Sequence, residues 1–231
     1  MNVLVFCAHP DDEVIAMGGT LRLFAQMGAK IRLVIFSAGA EGYGQREDKA
    51  TITQTRQKEV EAVCDILGIA EYFNLQGLDW NLRVSNEGYR HVIHHIRQFK
   101  PDVVFTHTPS DYNDHFAVSQ TATEGWFHAT LACAMEDEPV WKHVPLFEFE
   151  VIKPIARPTH VVDISRTYAF KEKAMEVYSS QFGVVGSIFQ LMEGRALERG
   201  YTAGVQYGEA FLRSNYRPRT IRHLTSMLEK E

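Results

Sequence analysis

The sequence predicts an α/β fold, a mostly parallel sheet with helices on both faces, in a single domain spanning residues 1–231. Three observations carry this expectation. Short, continuously apolar runs such as Val3 to Ala8 have the pattern of strands buried on both faces. In the first half each such run is followed by a segment of helical periodicity, and strand–helix–strand succession implies parallel pairing. No linker, internal repeat or compositional break divides the chain, and 231 residues suit one substantial domain better than two.

The elements follow in order. The run from Val3 ends at His9-Pro10, and a helical pattern continues through Val14, Ile15, Met17, Leu21, Leu23 and Phe24, with Gly28 as its stop. Ile31 to Phe36 reads as a second buried strand, followed by a glycine-rich loop from Ser37 to Gly44. A helix from about Thr53 to Leu67 ends at Gly68, and Tyr72 to Leu75 supplies a third strand. Tyr89 to Phe99 is helical until Lys100-Pro101 breaks it before the strand Asp102 to Thr106. In the second half, His115 to Leu131 is helical. Edge strands are expected near Phe147 to Ile152 and His160 to Val162, then helices at Ala169 to Ser180 and Val185 to Arg199. Gly18-Gly19 lies inside the first helix, which suits close packing rather than a phosphate-binding turn.

Composition excludes several functions. With 45% hydrophobic and 23% charged residues, neither disorder nor low complexity is indicated. A net charge of −5 argues against a nucleic-acid partner, which needs a basic surface. The basic cluster Arg213, Arg217, Arg219 and Arg222 reads as a solvated face or a subunit contact. Cys7, Cys64 and Cys133 are widely separated and read as small buried hydrophobes in a reducing compartment. No apolar stretch approaches the ~20 residues of a membrane span, and no signal peptide is apparent ahead of the strand-like Asn2 to Phe6. A cytoplasmic location is expected.

The chemistry concentrates where strands end. Ala8-His9-Pro10-Asp11-Asp12-Glu13 directly follows the first strand, and Thr106 to His115 directly follows Val103-Val104-Phe105. In open parallel sheets, ligands bind beyond the carboxyl ends of the strands. A catalytic zinc site takes three protein ligands and keeps a fourth position open, and His9, Asp12 and His115 offer that set. Asp11, beside a ligand, is placed to take a proton from a water acidified by the metal. Glu13 reads as a charge favoured at a helix N-terminus.

The His9-to-Glu13 motif followed by Gly18-Gly19-Thr20 resembles the opening of the PIG-L/LmbE-like zinc deacetylases. Arg56 and Glu59, Asp114-His115, Val162-Asp163-Ile164, Ser179-Ser180-Gln181 and Tyr207 to Phe211 extend the likeness over most of the chain. The resemblance implies a Rossmann-like sheet, one zinc per chain (with Fe2+ or Mn2+ as alternatives), and hydrolysis of an acetamide on an N-acetylglucosamine-type sugar or conjugate. By motif position it implies His9, Asp12 and His115 as metal ligands and Asp11 as general base. Asp114 resembles an aspartate that pairs with a histidine to stabilise the tetrahedral intermediate.

That histidine is absent: Tyr112 stands three residues before His115. Tyr112 or His107 is then the candidate donor to the developing oxyanion, and hydrolysis of another N-acyl or ester bond stays open as the alternative. Glu41, Asp79 and Arg56 are candidate substrate-binding residues, each with a solvated or ion-paired reading beside it. Trp80, Trp126 and Trp141 are candidate sugar platforms against a core or interface role. His94 and His95 read as surface or packing residues without a nearby carboxylate, and His128, His143, His160 and His223 carry no motif. The expected partner is a small N-acetylated sugar, and the aromatic-rich second half suits a homo-oligomer contact.

Overall fold

The computed structural model describes residues 1–217. Arg219, Arg222 and His223 lie outside the described residues. One seven-stranded sheet runs in the order β3-β2-β1-β4-β5-β7-β6. Five strands are parallel: β1 (Asn2–Cys7), β2 (Lys30–Ser37), β3 (Glu71–Gly77), β4 (Val103–His107) and β5 (Leu146–Phe149). Between β5 and β6 (His160–Asp163) lies β7 (Gly208–Arg213), antiparallel to both.

Alternation along β1 explains its continuous apolarity. Val3, Val5 and Cys7 enter one core, whereas Leu4, Phe6 and Ala8 enter the other. All six are 0% exposed, so the run from Val3 to Ala8 must be apolar throughout. The first core packs under α1 (Asp12–Gln26), α2 (Ile52–Leu67), α5 (Tyr168–Val177) and α6 (Ile188–Ala203). The second packs under α3 (Asn86–Phe99) and α4 (Asn113–His128). No helix among the described residues is long and apolar enough to cross a membrane.

Several elements differ from the sequence expectation. β5 ends at Phe149 rather than Ile152, and α6 starts three residues later and ends four residues later than expected. α4 stops at His128 rather than Leu131, and buried Arg97 of α3 donates to the Ala129, Leu131, Met135 and Glu138 carbonyls beyond its end. The helix expected to Ser180 ends at Val177 and passes into a 3-10 turn, Ser179–Gln181, pinned by Glu59 accepting from the Ser180 backbone N–H and hydroxyl. β7 was not anticipated as a strand at all.

α1 is broken at Met17, whose φ of −147° is not helical. The break is closed by charges from distant elements. Glu209 of β7 accepts the Gly19 and Thr20 N–H groups at 3.0 and 2.7 Å. Lys171 of α5 donates to the Ile15 carbonyl at 2.9 Å and to Glu209 at 2.7 Å. The lost Gly19-to-Ile15 bond of a regular helix is thus replaced on both sides. A Cβ at Gly19 would lie 2.7 Å from Ile164 Cβ, so the glycine allows this close approach.

Candidate metal centre and active site

Sheet order reverses between β1 and β4, since β1 leads outward to β2 and β3 while β4 starts the other half. Such a switch point opens a crevice at the strand carboxyl ends. Two loops fill it. The first leaves β1 through His9 and Pro10, and Asp11 enters α1 with φ 114° and ψ −26°, a left-handed backbone that strains a residue bearing a Cβ. Buried Arg56 holds the turn, donating to the Pro10 carbonyl and to Asp11 Oδ2 at 2.9 Å. Gln181 accepts from the other arm of the guanidinium at 2.7 Å.

The second loop leaves β4 at His107. Asp111 Oδ1 accepts the Tyr112 N–H at 2.8 Å and its Oδ2 accepts the Ile152 N–H at 2.9 Å, tying the loop to the segment after β5. α4 then starts, with Asp114 and His115 in its first turn.

The two loops bring three donors together. His9 Nδ1 and His115 Nε2 are 3.3 Å apart, His115 Nε2 is 3.2 Å from Asp12 Oδ1, and His9 Nδ1 is 3.7 Å from Asp12 Oδ2. An edge of about 3.3 Å belongs to a tetrahedron whose centre lies ~2.0–2.1 Å from each ligand. The outer ring nitrogens face carboxylates: His9 Nε2 lies 3.2 Å from Asp114 Oδ2, and His115 Nδ1 lies 3.3 Å from Asp111 Oδ2. With a proton on each outer nitrogen, the inner nitrogens face one another as lone pairs beside a third anion. A cation between them removes that repulsion, in the carboxylate–histidine–metal arrangement. The set therefore fits a metal ion, with all three ligand atoms within 4.8 Å of one another.

The local field agrees. Burial alone would depress both imidazoles, but Asp114 and Asp12 lift His9 to about 10, and Asp12 and Asp111 lift His115 to about 9. The pocket draws positive charge, as protons or as metal. Burial raises the Asp11 carboxyl to about 6 against the pull of Arg56. Glu13 is no exposed helix decoration: it is 0% exposed, and burial pushes it up to about 8. It accepts the Tyr178 hydroxyl at 2.5 Å and the Asp11 N–H at 3.2 Å, so it braces the base of the strained turn.

A cleft of about 170 Å³ opens over these groups. Glu41, Arg56, Asp79 and Tyr112 all line it. Asp79 Oδ2 accepts the Glu41 N–H at 2.6 Å, while its buried Oδ1 has no partner. The Tyr112 hydroxyl lies 3.2 Å from His9 Nδ1. Asp114 does not line the cleft; its Oδ2 is taken by His9 and by the Trp80 N–H at 2.6 Å. His107 is fully buried with Nε2 accepting the Ala8 N–H at 2.9 Å, so it is held behind the ligands rather than free to move in.

Of the tryptophans only Trp80 lines the cleft. Trp126 is core, bonded to the Val144 carbonyl, and Trp141 donates to the Pro101 carbonyl. His95 is buried, but His94 does have a carboxylate, Glu138, at 2.5 Å, brought from 44 residues away. Cys7 and Cys64 are buried, whereas Cys133 is exposed. Sequence reasoning passed over Asp111 and Gln181. For Asp111 the signal was available in its four-residue spacing to His115 on the edge of a helix. For Gln181 the signal was its place in the Ser179-Ser180-Gln181 motif, though its pairing with Arg56, 125 residues distant, was not written in any local pattern.

Fold and site together define an α/β protein with a histidine–aspartate–histidine cluster that could hold a metal ion at its sheet's switch point, beneath an open cleft. The chain belongs to the PIG-L family: the family model described as GlcNAc-PI de-N-acetylase matches residues 4–126, a span holding all three donors. It is 26% identical over 214 residues to the 4-oxalmesaconate hydratase of Pseudomonas putida, covering 87% of this chain and 81% of the relative. It is also 26% identical to a probable N-acetyl-alpha-D-glucosaminyl L-malate deacetylase 2 of Bacillus cereus, covering 78% and 83%. Among solved structures, N,N'-diacetylchitobiose deacetylase from Pyrococcus horikoshii superposes with a TM-score of 0.87 at 25% identity, covering 96% of this chain and 87% of that one.

Proposed function

We propose that the protein is a metal-dependent N-deacetylase that hydrolyses the acetamide of an N-acetylglucosamine-type sugar or conjugate. The observation that carries this reading is the convergence of His9, Asp12 and His115 at the floor of a cleft, beside a buried Asp11. Membership of the PIG-L family and the deacetylases among its relatives support it. Zinc is the metal we assign, one per chain, because two imidazoles and one carboxylate suit a catalytic zinc. Fe2+ and Mn2+ are the competing occupants of that donor set. When bound, the cation supplies Lewis acidity to the amide carbonyl and acidifies water.

The chain's own residues supply the rest. Asp11 accepts the proton of the attacking water and passes it to the departing amine, a task matched by a carboxyl held at about 6. Arg56 keeps Asp11 oriented. Burial, then the nearby carboxylates, raise the Tyr112 hydroxyl so that it stays protonated, and it donates to the oxyanion in the place of the absent imidazole. Asp114 acts through His9 as a positioning residue. Asp79 and Glu41 accept hydroxyls of the sugar. The wider reading places the protein in the cytoplasm, in keeping with its unpaired cysteines, and as a homo-oligomer, which light scattering measures.

Acetate release by metal-loaded protein, assayed on N-acetylated sugars beside simple esters, tests the proposal. Asp11→Asn is expected to keep one metal per chain and to lose about 10²- to 10⁴-fold in turnover. A variant that loses metal yet keeps turnover would refute the base assignment. Tyr112 at the histidine position favours a second reading, hydrolysis of another N-acyl or ester bond. Esters cleaved faster than acetamides would select it, and water addition without acetate release would point instead to the hydratase relative's chemistry.

A further inference from the structure

We propose that the substrate carries an uncharged apolar group, an aryl or alkyl aglycone, beyond its N-acetylated sugar, and that the cleft rejects substrates bearing carboxylate or phosphate. The proposal rests on the deacetylase reading above and specifies the substrate class of that site.

The first observation is apolar. Four side chains lining the cleft stay exposed, and each comes from a different loop: Trp80 (71% exposed), Ile152 (47%), Tyr112 (42%) and Val184 (41%). Apolar exposure gathered around one opening marks a contact surface. Trp80 is also held in place for it. Its φ is 63°, a strained backbone, and its N–H is tethered to Asp114. An indole carried on a fixed backbone, with only two rotatable side-chain bonds, gives broad binding area at modest entropic cost. A second protein seated here would cover the cleft that leads to His9 and Asp11, so the fitting occupant is the substrate itself.

The second observation is electrostatic. Asp11, Asp12, Glu41 and Asp79 line the cleft; Arg56 is the one arginine or lysine among its described lining residues, and His9 and His115 belong to the metal set. Both terminal amino groups of Arg56 are committed to Pro10, Asp11 and Gln181, and only its buried Nε lacks a partner. Cations near the rim are engaged as well. Lys49 pairs with Glu41 at 3.0 Å, and Arg195 donates to the Val151 and Ile152 carbonyls at 2.7 and 3.0 Å. Away from the metal set, an anionic substituent would lose its water beside Glu41 and Asp79 with no unpaired lysine or arginine among the cleft's described lining residues to meet it, which is discrimination by repulsion.

The experiment measures kcat/KM for acetate release by the metal-loaded protein on five compounds: N-acetylglucosamine, its 4-nitrophenyl and octyl glycosides, its 6-phosphate, and N-acetylmuramic acid. The glycosides are expected to exceed the free sugar about tenfold or more, from burial of the aglycone against Trp80 and Ile152. The two anionic sugars are expected about tenfold or more below it. Trp80→Ala should shrink the glycoside advantage, and Val184→Lys should raise the 6-phosphate relative to the free sugar. Anionic sugars at or above the free sugar, or glycosides no better than it, overturn the proposal. If no compound releases acetate, the deacetylase reading has failed separately. Binding to the metal-loaded protein, followed by tryptophan fluorescence, then decides: a tighter octyl glycoside supports the apolar subsite, and a tighter 6-phosphate refutes it.

Discussion

Replacing Glu209 by leucine removes the acceptor that closes the break in α1. Three donors are stranded at once: the Gly19 and Thr20 N–H groups and the Lys171 ammonium, whose side chain is 3% exposed. Breaking a buried ion pair by deleting one partner costs about 3–5 kcal/mol, and an orphaned buried N–H costs about 1–3 kcal/mol. These terms overlap, so about 4 kcal/mol is expected, a large part of the ~5–15 kcal/mol that holds a typical domain folded. Lys171→Met strands only the Ile15 carbonyl and leaves Glu209 its two backbone donors, so about 3 kcal/mol is expected. The double variant should cost at least ~2 kcal/mol less than the sum, because neither buried charge is left without its partner. Urea unfolding at fixed metal concentration, followed by circular dichroism and tryptophan fluorescence, measures all three, with coincident curves as the two-state check. Because the pair is buried, the coupling should hold at high salt. A Glu209→Leu cost under ~1 kcal/mol, or strict additivity, would refute the account of the broken helix.

Other outcomes follow from the same geometry. Asp114→Ala frees the His9 ring and should weaken metal binding about 10- to 100-fold in a chelator competition, since outer carboxylates orient metal-binding histidines; unchanged affinity would remove Asp114 from that role. Burial, then Arg32, His94 and His91, depress His95 to about 4, only partly offset by Glu71. The unfolded chain, with a histidine near 6.5, binds the extra proton first, so His95 contributes stability fully above about 6.5 and loses about 3 kcal/mol of it as pH falls to about 4. His95→Gln should flatten that part of the stability profile, and an unaltered slope would show that another group titrates there. Gly19→Ala forces a Cβ against Ile164 and should cost about 1–3 kcal/mol in urea, with Ile164→Ala restoring part of it.

Legibility varied with range along the chain. β1, β2 and β4 were readable because burial on both faces demands a run of consecutive apolar residues through the middle of each strand. The donor set was readable because His9 and Asp12 share one short loop and Asp114-His115 follows a recognisable strand. β7 escaped notice because its apolar pattern is interrupted by Glu209 and Arg213, and Glu209 is charged for the sake of a helix on the far side of the sequence. Glu13 was misjudged for a related reason: a carboxylate at a helix N-terminus is ordinarily solvated, and only packing against Tyr178 of the distant α5 exit buries it.

What the sequence alone determined, then, is a set of local conformations and chemistries: the buried central strands, the existence of the main helices, and which loops carry imidazole and carboxylate. These depend on neighbours a few residues apart, whose spacing is written in the chain. The tertiary structure alone decided which carboxylates serve which histidines, that Arg56 grips Asp11, that Tyr112 rather than His107 faces the cleft, and that Lys171 and Glu209 close α1. Each of those choices is a contact between residues far apart in sequence. Burial gives such contacts their energy, and no local pattern encodes which two distant groups will be buried together.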